Sequence, residues 1–237
     1  LAFDVFMSDD KVVLSGPPAY GLEDFFKQEN FYLDGQPVYC APQTQRLDRT
    51  QRNWLITETN AQQLKWIYAD IEFNISINQH CHDLFRNKKV LFTLSKNNKF
   101  EWICDWIKFY KTVHHIDAVL FYDNNSDNYT LEELKEYLIK ENLGVDVILV
   151  PWNFKYGPQG GASTGLKNAP WDSDFCQYGM MEHAKERFLK YAMGVINVDI
   201  DELIIAPNGT SVFNELEKNP ALHISGKWIE SIPLDEK

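Results

Sequence analysis

Apolar and polar positions follow two rhythms along this chain, and the change comes near residue 88. Before it, short apolar runs alternate with turn residues: KVVLSGPPAYG, FYLDGQPVYCAP, NWLITETN and LKWIYADIEFNISI. In the last run Ile71, Phe73, Ile75 and Ile77 recur at a spacing of two, which places them on one face of a strand. Asp34-Gly35 and Pro17-Pro18 punctuate the runs as turn dipeptides. Residues 1–88 are therefore expected to form a small β-rich module.

Beyond residue 88 the rhythm becomes strand, helix, strand. KKVLFTLS reads as a short strand buried on both faces. FEWICDWIKFYKTV follows, with Trp102, Ile103, Trp106, Ile107 and Tyr110 at helical spacing. DAVLFYD is a second buried strand, and it ends in the polar turn NNSDN. The TLEE run starting at Thr130 matches a capping box and opens a helix that closes at Gly144. VDVILVPW is a third strand. A Gly-rich loop over residues 156–174, flanked by Trp152 and Trp171, reads as an active-site loop or a plain surface loop. The helix FCQYGMMEHAKERFLKYAMG comes next, and the strand VINVD then leads into IDEL. Strands joined by single helices predict an α/β fold over residues 89–237: a mainly parallel, Rossmann-like sheet with helices on both faces. Such sheets bind ligands at the carboxyl ends of their strands. Three polar clusters fall at those ends, residues 96–98, 123–127 and 199–202, and they are expected to converge.

The sharpest chemistry lies in Asp199-Ile200-Asp201-Glu202. In an extended segment Asp199 and Asp201 point to one side. Two carboxylates there suit Mg²⁺ or Mn²⁺, which keeps open positions for phosphate oxygens. A D-x-D alone is also what a solvated turn carries; its position after a buried strand in a βα series favours the metal site.

These segments resemble a known group. VLFTLSKNNKFEWICDWIKFY, DAVLFYDNNSDN and FCQYGMMEHAKERFLKYAMGVINVDIDEL look like the family-2-like and family-92-like glycosyltransferases, over roughly residues 89–206. The resemblance implies an A-type nucleotide-sugar fold, a nucleotide diphosphate sugar donor (a UDP-sugar first among them), and a glycan or polysaccharide acceptor. It further implies that Asp123 binds base or ribose, that Asn125 and Ser126 shape that loop, and that residues 96–98 line the base pocket. Asp199 would lie near ribose and metal, and Asp201 would ligate the metal. The nucleotide-contacting set is then Ser95, Lys96, Asn98, Asp123, Asn125 and Asp199. Two positions depart from the pattern: Lys99 stands where Glu is frequent, and Tyr110 where His is frequent. Only residues 202–237, 36 in all, follow Asp201, so a truncated acceptor half is expected. No general base is assigned, since Asp235 and Glu236 lie too near the end.

Composition narrows the partners. The chain has 34 acids against 23 bases, a net charge of −11, which repels nucleic acid and anionic bilayers. An anionic donor then needs a local device such as a metal ion. No apolar run is long enough to span a membrane, and the first residues lack the pattern of a signal peptide, although the absence of an initial Met allows a removed segment. Cys40, Cys81, Cys104 and Cys176 form no CxxC pair and are expected as reduced thiols in a cytosolic protein, peripheral at most to the membrane's inner face. Sequons at Asn74, Asn124, Asn128 and Asn208 keep a secretory lumen as the alternative. His80 and His82 around Cys81 suit a strand-end turn better than a metal site. His114-His115 reads as a helix-end cation pair, and His183 as a packing or solvent-facing residue. Two other functions compete with sugar transfer. A haloacid-dehalogenase-type phosphohydrolase would place D-x-D first rather than last. A non-catalytic carbohydrate-binding or scaffolding module would not bind nucleotide with metal.

Overall fold

A computed structural model describes residues 1–47, 49–58, 60–156, 175–206, 209–216 and 218–229. Three four-stranded sheets organise them. The N-terminal strands are β1 (Asp4–Ser8), β2 (Lys11–Gly16), β3 (Phe31–Leu33), β4 (Gln36–Pro37), β5 (Gln43–Arg46), β6 (Gln51–Ile56), β7 (Gln63–Tyr68) and β8 (Ile71–Ser76). They form two antiparallel sheets, ordered β1-β2-β6-β5 and β4-β3-β7-β8. Val5, Met7, Val12, Leu14 and Leu55 of the first sheet share one core with Phe31, Leu64 and Trp66 of the second. The alternate residues Phe6 and Val13 are buried as well, so the first sheet is covered on both faces. This explains why its strands read as continuous apolar runs instead of alternating ones. β8 is an edge strand: Ile77 just beyond it is buried, whereas Ile71 is 47% exposed and Phe73 37% exposed. The face read from the spacing is therefore only half covered.

The second half comprises β9 (Lys89–Ser95), α1 (Phe100–His114), β10 (Ala118–Asp123), α2 (Leu131–Glu141), β11 (Asp146–Pro151), α3 (Phe175–Arg187), β12 (Gly194–Asn197) and the short α4 (Phe213–Leu216). Its sheet is wholly parallel, in the order β11-β10-β9-β12. The period of two along each strand sorts side chains between the faces. Leu91, Val119 and Phe121 meet Ile103, Ile107 and Tyr110 of α1 and Leu134 and Leu138 of α2. Val90, Phe92, Leu120 and Tyr122 meet Met180 and Ala184 of α3 on the other side. From β9 the chain moves through α1 to β10 and then to β11, and returns through α3 to β12 on the opposite flank of β9. The order of strands thus reverses between β9 and β12, and such a reversal opens a crevice beyond the strands' carboxyl ends.

Local signals account for the ends of the helices. Thr130 and Glu133 form the reciprocal capping box on α2, a contribution of about 1 kcal/mol. That helix stops at Glu141 with Asn142 as its left-handed cap, short of Gly144. α3 ends at Arg187, seven residues before the pattern suggested, and turns carry the chain into β12. It lies between two sheets: its inner side packs on the parallel sheet, and Arg52 of β6 reaches Glu186 on its other side. Gly179 is what lets Phe3 lie against the helix, since a methyl group there would overlap the Phe3 ring. Trp102 corrects the helix reading: it is 55% exposed, with the Lys99 ammonium over its ring, while Trp106 takes the buried place. Most of the loop 156–174, with Trp171, lies outside the described residues, as do Asn208, Asp235 and Glu236.

Candidate active site

The carboxyl ends of β9 and β10 are bound into one unit. Asn124 N–H donates to the Ser95 carbonyl at 2.8 Å, extending the ladder past both strands. Asp123 is buried, and its carboxylate is taken up by its own loop: Oδ1 accepts from Ser126 Oγ at 2.6 Å and Oδ2 from Ser126 N–H at 2.9 Å. Asn97 joins the two loops, donating to Asp127 Oδ1 at 2.8 Å and accepting from Asp127 N–H at 2.9 Å. Asn97 and Asn125 both adopt left-handed backbone (φ 59° and 58°), which asparagine tolerates better than most residues. Asn98 donates to Ser95 Oγ at 2.9 Å. Lys96 and Asn125 are exposed, and neither side chain has a polar partner among the described residues.

Across β9, β12 leaves the sheet after the pair Asn197–Phe92. The segment 199–202 then forms a turn closed by Glu202 N–H to the Asp199 carbonyl at 3.1 Å. This corrects the extended geometry expected for Asp199 and Asp201. The turn holds Ile200 in the core below and leaves Asp199, Asp201 and Glu202 facing water. Glu202 turns back, its carboxylate accepting from Asp199 N–H at 3.1 Å. Partial burial raises the Asp199 pKa, and the Glu202 and Asp201 charges push it the same way. None of the three carboxylates forms an ion pair among the described residues.

Two residues of α1 clamp this turn. Tyr110 Oη donates to the Glu202 carbonyl at 3.0 Å and accepts from Ile204 N–H at 3.0 Å. Burial pushes the Tyr110 hydroxyl up to about 12, so it remains protonated and able to donate. His114, expected as half of a helix-end cation pair, is fully buried. Its Nε2 lies 2.8 Å from the Ile204 carbonyl and its Nδ1 accepts from Val212 N–H at 3.3 Å, which assigns the proton to Nε2. Neither role was visible in sequence; the departure from His at position 110 was the one available signal. Tyr110→Phe leaves a partly buried carbonyl and amide without their partner. It is expected to lower unfolding stability by about 1–3 kcal/mol in a urea titration. An unchanged midpoint would mean that the turn holds without the clamp.

Other candidates resolve differently. His82 Nε2 already engages the Glu186 carbonyl at 2.7 Å, with the His80 ring stacked on it at 4.6 Å. His183 is buried within a network described below. Asn124 is buried, its amide donating to the Trp152 and Phe154 carbonyls at 2.8 and 2.7 Å, whereas Asn74 and Asn128 are exposed. All four cysteines are free thiols. Among the described residues, no group of three or more His, Cys, Asp or Glu is placed to hold a metal ion, and no helix is long and apolar enough to cross a membrane.

Comparison with known proteins gives one family. The sequence profile described as Glycosyltransferase family 92 matches residues 92–231, more than half of the 237-residue chain, from within β9 to past α4. No curated protein and no solved structure matches the chain.

Proposed function

The chain belongs to glycosyltransferase family 92, and on that premise we propose that it transfers a sugar from a nucleotide diphosphate sugar, a UDP-sugar first among them, to a glycan hydroxyl with the help of Mn²⁺ or Mg²⁺. The observation that carries this reading is the placement of the Asp199–Glu202 turn across the β9–β12 reversal from the Ser95–Asn98 and Asp123–Asp127 loops. Nucleoside would lie over Ser95, Lys96, Asn98, Asp123 and Asn125, with the diphosphate directed toward Asp199 and Asp201.

The carboxylates present suit a divalent cation of this kind. Such ions need only one or two protein carboxylates when the substrate's phosphates complete the shell. Asp199 and Asp201 would supply these, and Glu202 keeps its place by bonding the turn. Three adjacent carboxylates without a cationic partner, one with a raised pKa, are a charge excess that a cation relieves. When bound, the ion neutralises the charge that gathers on the departing diphosphate. Tyr110 and His114 would hold the turn and the segment after it against α1 while that charge develops, so that little reorganisation is required.

Calorimetric titration with a panel of nucleotide sugars, with and without Mn²⁺, tests this reading. One nucleotide sugar is expected to bind only with the metal. Its affinity is expected to fall as pH drops through the raised Asp199 pKa, because a proton then competes with the cation. Absence of binding with every nucleotide and either metal would overturn the reading.

A further inference from the structure

A groove of about 610 Å³ runs between α1 and α2, and nothing in the donor reading uses most of its lining. Its inner end is formed by Asn97, Asn98 and Asn128 beside the strand ends, and its outer end by Glu136, Tyr137 and Lys140. From Glu133 to Lys140 the wall follows α2 for about 10 Å. The floor is aromatic: the Phe100 ring lies 4.9 Å from that of Tyr129, edge to face, and 5.1 Å from that of Tyr137. All three rings are partly buried, so each keeps some surface toward the groove.

Part of the polar rim is unspent. Glu101, Glu136 and Lys140 have no ion-pair partner among the described residues, and the Asn128 side-chain amide has no hydrogen bond. Glu133 is committed to Thr130, and at the inner end Asn97 and Asn98 are committed to Asp127 and Ser95. At the inner end the Tyr129 hydroxyl is buried beside Ser126, Ser95 and Asp123 of the strand-end loops.

We propose that this groove is a saccharide-binding subsite that takes a neutral oligosaccharide, the part of the glycan acceptor remote from the reacting hydroxyl. Aromatic surface meets the apolar C–H faces of a sugar ring, and carboxylate and amide groups along the rim pair with its hydroxyls. Carboxylates outnumber lysines here, Glu101, Glu133 and Glu136 against Lys99 and Lys140, which disfavours a polyanion or a nucleotide diphosphate. The groove opens beside Asn98 at the donor loops, and not at the Asp199–Glu202 turn, so it suits the non-reacting part of the acceptor. Binding energy from such remote parts is available to position the reacting end.

The proposal rests on the glycosyltransferase reading, and saturation-transfer NMR separates the two. The probes are methyl glycosides and neutral di- and trisaccharides, applied to the full chain and to Tyr137→Ala and Glu136→Gln. One or more saccharides should give ring-proton signals with the unaltered chain. Those signals should fall at least fivefold in both variants, while metal-dependent nucleotide-sugar binding stays within twofold. Glu136 is exposed and unpaired, so its substitution tests the groove even where Tyr137→Ala unfolds. Saccharide signals that persist in Glu136→Gln and in a folded Tyr137→Ala, or that are absent from the unaltered chain, would overturn the subsite and leave the donor reading standing. Weakened nucleotide-sugar binding in the variants would overturn it too, by assigning the groove to the donor. Loss of nucleotide-sugar binding by the unaltered chain would instead remove the donor reading.

Discussion

Asp201→Asn is expected to lower metal-dependent transfer, or donor hydrolysis in the absence of acceptor, by about 10³-fold. The apo protein should unfold at the same temperature as the unaltered chain. Both halves of the expectation follow from the turn. The Asp201 side chain is exposed and has no hydrogen bond or ion pair among the described residues, so the fold does not depend on it. Removing one of three crowded carboxylates relieves repulsion in the absence of metal. In the proposed complex the same carboxylate is one of two that hold the cation, and the amide that replaces it is a weaker, neutral oxygen ligand. Glu202→Gln is the control, because its carboxylate bonds Asp199 N–H and a neutral amide oxygen can keep that bond. Turnover retained in Asp201→Asn would remove the residue from the reaction, whatever the family.

The largest effect on stability is expected where the N-terminal strands meet the parallel sheet. Asp4 of β1 accepts from His183 Nε2 at 2.8 Å and from Arg187 at 2.8 Å, both of α3, and from Asn78 at 2.8 Å. His183 Nδ1 in turn lies 2.9 Å from the Tyr122 hydroxyl, one residue before Asp123. This chain of bonds ties β1 to α3 and α3 to β10. Burial alone would raise the Asp4 pKa, but the His183 hydrogen bond and charge, with Arg187 and Asn78, outweigh it and hold the carboxyl below its usual range. Asp4→Ala leaves Arg187 and His183 without their shared partner. The cost is expected to be about 3–5 kcal/mol in urea unfolding. A loss below about 1 kcal/mol would show that water replaces the carboxylate.

The same network sets a direction with pH. Burial lowers the His183 pKa, only partly offset by Asp4, so the ring is neutral in the folded chain at neutral pH. The unfolded chain takes up that proton first as pH falls below its ordinary value of 6.5, and the folded state loses stability from there downward. Asp4, also depressed, adds a second loss below its ordinary value of 3.8. In Asp4→Ala this second loss is expected to vanish, while the first persists or deepens.

The elements after residue 88 were legible because their signals are local. A short apolar run such as Val90–Leu94, broken only by Thr93, can only be a buried strand or part of a buried helix, and the flanking lysines and turn residues limit its length. Thr130 and Glu133 sit three positions apart and make the same two bonds whatever surrounds them. That the three polar clusters stand on one edge of the sheet followed from strand direction alone, since single-helix crossovers return every strand parallel to the last. Other readings depended on what arrives from elsewhere. Helical spacing placed Trp102 with Trp106, yet the core takes one and leaves the other to solvent. Alternation placed Ile71 with Ile77, but β8 is an edge strand with core beneath only one end. Asp199 and Asp201 were read as extended because their strand was, but the segment closes as a turn whose last residue is bonded to Tyr110 of α1.

By itself, then, the sequence determined the succession of strands and helices from β9 onward, the capping of α2, and which polar residues stand at the strand ends. These are consequences of neighbours within a few positions. Tertiary structure decided the rest: that α3 lies between two sheets, that His114 is a buried clamp and not an exposed cation, and that Asp4 meets His183, 179 positions away. Periodicity says which residues share a face. Only packing decides which element covers that face, and hence whether a polar group there meets water, a partner or a ligand.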